Sequence, residues 1–205
     1  MLLTPPIRVW KVKELVEEAG VSLGHVSNMR KRLIDQELAR AGKSGLRLTR
    51  PEETARAFQE SYKPHISNKK KYYSVLHGDQ MENAYRKALT EAEAGEHAVL
   101  SSFSAARWIA PYARQAANFF YADAAGIEIL VKHLQLEPET RGENVVIEEP
   151  REDDVFTKRI EPVSGIWCTG LVQTWLDLSV AGERGKEAAE HLLQQRLLPA
   201  WKETE

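Results

Sequence analysis

Val21-Ser22-Leu23-Gly24-His25-Val26-Ser27-Asn28-Met29-Arg30-Lys31-Arg32-Leu33 has two faces when wound on a helix. Val26, Met29 and Leu33, with Ile34 just beyond, recur at the three- and four-residue spacing of a half-buried helix. Ser22 stands where a side-chain oxygen can accept from the free amides of a first turn. The other face carries His25, Ser27, Asn28, Arg30, Lys31 and Arg32, polar and cationic groups that such a helix leaves in solvent. Upstream, Val12, Leu15, Val16 and Ala19 predict a shorter helix from Lys11 to Ala19, and Gly20 supplies a left-handed cap at its end. Downstream, Leu38-Ala39-Arg40-Ala41 and Leu46-Arg47-Leu48-Thr49 flank Gly42-Lys43-Ser44-Gly45, two short runs around a glycine-bounded turn that read as a β-hairpin. Pro51 then opens a helix running to about Tyr62, its missing N–H harmless in a first turn. Helix, tight turn, basic helix, basic hairpin is the order of a winged helix-turn-helix.

A helix of this kind enters the major groove of duplex DNA, and the residue types suit that role. Asn28 and Ser27 can read base edges, Asn being shaped for a bidentate pair with adenine, and His25 can donate or accept. Ser22, at the start of the helix, joins them. Arg30, Lys31 and Arg32 on the helix, with Lys43 and Arg47 on the hairpin, are expected to neutralise phosphates. The bland alternative is a solvated helix face on a protein-binding or structural module.

Only Met1 to Trp10 precede the first of these helices, and Pro5-Pro6 divides even that stretch. A winged helix ordinarily has a further helix there. The expectation is a truncated start, or an exposed apolar face covered by a partner such as a second copy of the chain.

Beyond the module, residues 63–79 read as a basic linker that includes Lys69-Lys70-Lys71-Tyr72-Tyr73. That run is expected to be solvated, with non-specific DNA contact as a secondary reading. Residues 80–205 alternate strand-like and helix-like segments. Candidate strands are His97 to Ser101, Phe119 to Ala122, Val145 to Glu148 and Ile166 to Trp167. Candidate helices are Gln80 to Ala94, Ser104 to Tyr112, Gly126 to Leu134, Gly170 to Leu178 and Lys186 to Leu197. The expected fold is therefore mixed α+β, with a winged helix-turn-helix over residues 1–62 and a C-terminal α/β domain over residues 80–205.

Charge divides along the same line. Residues 1–73 hold 15 Lys and Arg against 8 Asp and Glu, a balance of +7, and the remainder holds 13 against 22, a balance of −9. The asymmetry suggests an N-terminal part that meets a polyanion. Cys168 is the single cysteine, which excludes an internal disulfide and a zinc site built on paired cysteines. The longest apolar runs fall far short of the roughly 20 residues that cross a bilayer. The N-terminus lacks the features of a secretory signal, so a cytoplasmic location is expected.

Taken together, Trp10-Lys-Val-Lys-Glu-Leu-Val-Glu-Glu-Ala-Gly-Val-Ser-Leu-Gly-His-Val-Ser-Asn28, Gly45-Leu-Arg-Leu-Thr49, Leu171-Val-Gln-Thr-Trp-Leu-Asp-Leu178 and Gly185-Lys-Glu-Ala-Ala-Glu-His-Leu192 resemble the AbiEi-like transcriptional regulators. These are the antitoxins of type IV abortive-infection toxin–antitoxin systems. The resemblance runs in order through most of the chain. It implies a non-enzymatic repressor whose winged helix occupies the operator of its own operon. It further implies a C-terminal domain that counters a nucleotidyltransferase-like toxin, with the Ser22 to Arg32 helix and the Lys43 to Arg47 hairpin as the DNA-reading parts. An orphan relative acting purely as a transcription factor, or sensing a small ligand, fits equally.

An enzymatic alternative rests on Glu148, Glu149, Glu152, Asp153 and Asp154, an acidic group around Pro150 that could hold Mg²⁺ for nuclease or nucleotidyl-transfer chemistry. A solvated turn is the simpler account. His97, His133 and His191 lack a second ligand at helical spacing, so no metal is expected, nor any cofactor.

Overall fold

The computed structural model describes residues 1–112, 116–139 and 141–202. Two compact units divide the chain: Met1–Tyr62 together with the residues from Gln194 on, and Lys63–Leu193.

In the first unit, helix α1 (Val12–Ala19) ends at Gly20, whose left-handed backbone has φ 61° and ψ 25°. At its start the Glu14 carboxylate accepts from the Lys11 backbone N–H at 3.0 Å. Helix α2 (Leu23–Asp35) begins at Ser22, whose hydroxyl accepts from the His25 amide at 3.2 Å as the sequence predicts. Strands β1 (Ala39–Gly42) and β2 (Gly45–Leu48) pair antiparallel around Lys43-Ser44. Trp10 exchanges both backbone hydrogen bonds with Leu46 at 2.8 Å, so β2 is flanked on both edges. That approach is why residue 45 is glycine: its φ is 138°, and a Cβ there would lie 2.3 Å from the Trp10 carbonyl oxygen. Helix α3 (Pro51–Ser61) follows with Pro51 in its first turn. Leu15, Val26, Leu38, Leu46, Leu48 and Ala55 are buried together with Leu3, Ile7 and Trp10.

The second unit is built on one mixed seven-stranded sheet. Its strands are β3 (Ile66–Tyr73), β4 (Ala98–Leu100), β5 (Asn118–Ala122), β6 (Glu137–Pro138), β7 (Val145–Pro150), β8 (Ile160–Val163) and β9 (Ile166–Cys168). They lie in the order β6-β3-β7-β5-β4-β9-β8, with β5/β7 and β4/β9 parallel and the other pairs antiparallel. Helices α4 (Gly78–Glu91), α5 (Ser102–Ile109), α6 (Ala124–Leu134), the single turn α7 (Asp154–Thr157), α8 (Leu171–Ser179) and α9 (Gly182–Leu192) complete the unit. Phe120 of β5 is fully buried and meets Tyr85 of α4 edge-on at 6.2 Å. Burial pushes the Tyr85 hydroxyl pKa up to about 12 and raises that of the Cys168 thiol, so both act as core residues.

Two expected boundaries are corrected. The basic run Lys69-Lys70-Lys71 is not linker but the middle of β3, paired antiparallel to β7. Its cations are held by the facing strand: Lys69 to Glu148 at 2.7 Å, Lys70 to Glu149 at 2.8 Å, and Lys71 to Glu143 just ahead of β7. Opposite charges across a ladder stabilise it, which lets a strand form from residues with little apolar character. Residues from Gln194 on, expected in the C-terminal domain, group instead with the first unit. After α9 the chain passes through a π-helical turn (Leu193–Leu197) into α10 (Leu198–Lys202). There Trp201, 4% exposed, donates from its indole Nε1 to the Leu3 carbonyl at 2.8 Å.

Candidate nucleic-acid interface

Helix α2 turns Val26 inward and presents its opposite side to solvent. At 100° per residue, Gly24, Asn28, Lys31 and Asp35 fall opposite Val26, with Ser27 on one flank and His25 and Arg32 on the other. Ser27, His25, Asn28, Lys31 and Arg32 are all exposed. Leu23, in the first turn, is 60% exposed, an apolar group on a surface otherwise polar. Ser22 is exposed as well, but its hydroxyl is already engaged as the cap. Arg30 does not share the outer face: it follows buried Val26 by four residues, lies on that side of the helix, and is half-buried. Lys43 stands exposed at the ribbon tip, and Arg47, half-buried, sits on β2 directly opposite Arg40 of β1.

The cations of this unit sort into two sets. Arg50 is tied to Glu37 and Glu53, Arg56 to Glu52 at 2.9 Å, and Lys13 to Glu17. Lys31, Arg32, Arg40 and Lys43 make no ion pair among the described residues. Groups without a protein counter-charge keep their full attraction for an external anion, and exposed ones lose little hydration in waiting for it.

Two further exposed cations of this unit, Arg40 and Arg8, fall outside the residues that the sequence singles out. The signal for Arg40 was present: a two-residue turn between Gly42 and Gly45 fixes the register and puts residue 40 opposite residue 47. Arg8, exposed, lays its guanidinium over the Trp10 ring at 3.5 Å, a stack that spacing alone does not reveal.

In the second unit, three members of the acidic group, Glu148, Glu149 and Asp154, are engaged by lysines. Glu148 and Glu149 belong to β7 and face lysines, and Asp154 accepts from Lys158 at 2.5 Å. Among the described residues no group of three or more His, Cys, Asp or Glu is placed to hold a metal ion. Among those same residues no helix is long and apolar enough to cross a membrane. No family model, curated protein or solved structure matches this chain.

Proposed function

We propose that the first unit is a winged helix-turn-helix that binds duplex DNA, with α2 as the helix that enters the major groove and the β1–β2 ribbon as the wing. The observation that carries this reading is the outer face of α2, where Asn28, Lys31 and Arg32 stand exposed on a helix that Ser22 caps. In this reading Asn28, Ser27 and His25 read base edges, and Lys31, Arg32, Lys43 and Arg47 hold phosphates. Arg30, turned toward Val26, has a lesser part. The chain then acts as a cytoplasmic, non-enzymatic transcriptional regulator of the AbiEi antitoxin kind, occupying the operator of its own operon. A nucleotidyltransferase-like toxin encoded nearby and a second copy of the chain are the partners that this role implies.

The test is binding of the intact chain to the DNA upstream of its own gene, measured against a random duplex over a series of salt concentrations. With about five phosphates neutralised, log K is expected to fall against log salt with a slope of about −4 to −5. Asn28→Ala should cost about 1–3 kcal/mol on the upstream DNA and little on the random duplex. Arg32→Gln should weaken both alike and reduce the slope by about 1. Absence of any shift, or equal loss on both duplexes with Asn28→Ala, overturns the assignment.

A further inference from the structure

Gly24 is the second residue of α2 and lies on the outer face of the helix, in line with Asn28 and Lys31. Nothing within the chain asks for glycine there. Gly20 and Gly45 each have a positive φ, whereas Gly24 has ordinary helical backbone. A Cβ built on Gly24 would meet only the Ser22 Oγ, at 3.9 Å, which is an ordinary van der Waals contact. Glycine is also a poorer helix former than alanine, so α2 is weakened at this position with no gain inside the protein. A glycine that the fold does not need has its use where a ligand must come close to the backbone.

Leu23 adds the chemistry. It is the first residue of the helix, is 60% exposed, and stands one turn ahead of Ser27 on the same flank. A single exposed leucine is ordinary on a protein surface, and this one takes its meaning from its neighbours. His25, Ser27 and Asn28 beyond it are exposed hydrogen-bonding groups. Lys31 and Arg32 make no ion pair among the described residues, so the charge of this face suits a polyanion. The apolar group that a DNA major groove offers is the C5 methyl of thymine. The N-terminal part of a helix seated in that groove is the part that reaches the base edges.

We infer that the first turn of α2 is the point of closest approach to the bases, with Leu23 packed against the methyl group of a thymine and Gly24 leaving room for the helix backbone to come down on the base edges. The inference rests on the winged-helix reading and adds to it a requirement for thymine in the bound sequence.

The test uses the intact chain and two versions of the DNA upstream of its own gene. One is natural; the other carries deoxyuridine in place of thymine, which removes the methyl groups and leaves the pairing edges intact. The native chain is expected to bind the deoxyuridine duplex about fourfold more weakly, the worth of one buried methyl group. Leu23→Ala should lose that discrimination while keeping the native thermal midpoint, because the side chain is exposed. Gly24→Ala should raise the thermal midpoint and yet weaken binding to the natural duplex about tenfold, opposite signs that a purely structural glycine would not give. Three results overturn the inference: no discrimination by the native chain, undiminished discrimination by Leu23→Ala, or native affinity in Gly24→Ala. In each of them, a shift that Asn28→Ala weakens on the upstream DNA and not on a random duplex would leave the winged-helix reading standing. A native chain that shifts no duplex at all sinks both.

Discussion

His97 and Asp123 form the clearest titrating contact in the second unit, with Nδ1 and Oδ2 2.7 Å apart. The other carboxylate oxygen of Asp123 accepts from the Gly126 amide at 2.8 Å and so caps α6. The hydrogen bond to Asp123, before any other influence, raises the His97 pKa above its ordinary value, and Glu93 and Glu96 add to the effect. A raised pKa in the folded state means that the protonated ring is favoured by folding. The stabilisation is then fully present below the unfolded value of about 6.5 and is lost as pH rises through the higher folded value. His97→Gln is therefore expected to lower the thermal midpoint in mildly acidic solution and to converge on the native chain as the medium becomes alkaline. The effect should be small and salt-sensitive, because both side chains are about a third exposed. Thermal midpoints measured across that pH range check it, and a gap that widens toward alkaline pH would contradict it. None of this was legible in the sequence, where His97 and Asp123 stand 26 residues apart. What could be read were local effects: the Ser22 cap and the Gly20 stop depend only on neighbours three or four residues away.

At the scale of elements, helices and hydrophobic strands were legible, and one strand was not. Phe120 and Tyr121 of β5, and Val145, Val146 and Ile147 of β7, are buried and announce their strands by composition. Strand β3 gave no such signal: only Tyr72 within Ile66–Tyr73 is buried, and three consecutive lysines resemble solvated linker. Its charge partners Glu148 and Glu149 stand on a strand some eighty residues away, and no periodicity within β3 reports them. The Glu149 hydrogen bond, ahead of other influences, holds the Lys70 ammonium above its usual pKa, and the Lys71 hydrogen bond holds the Glu143 carboxyl below the usual carboxylate range. Because these cations already have partners, they should add nothing to DNA affinity. Lys69→Gln is expected to leave the salt slope of binding unchanged while lowering stability by about 0.5 kcal/mol, the ordinary worth of an exposed cross-strand pair. Binding isotherms and chemical denaturation on the same variant decide it. A slope reduced by about 1, as expected for Arg32→Gln, would restore β3 as a DNA contact.

At the scale of the molecule, the sequence separates an N-terminal part from the rest near Tyr62 but assigns the C-terminal residues to the wrong one. Helical periodicity continues past Lys186, yet periodicity reports that a face is buried and not against which partner. The structure places Trp201 against the N-terminal segment, with its indole bonded to the Leu3 carbonyl. The buried N-terminal residues Leu3 and Ile7 thus belong to the same unit as the chain's own C-terminal helix. Trp201→Ala should therefore open a cavity in the first unit, at a cost of about 3–5 kcal/mol, and leave the Leu3 carbonyl without its donor. The loss should be local, because compact units open separately according to their own packing. Hydrogen exchange is expected to speed up at the amides of α1, α2 and β2 while β5 and β7 keep their protection. Trp201→Phe keeps most of the ring volume and removes only the N–H, so its cost should be about 1–3 kcal/mol, confined to the same amides. Equal acceleration in both units would mean that they unfold as one body. Acceleration restricted to the sheet would mean that the C-terminal residues serve the second unit after all.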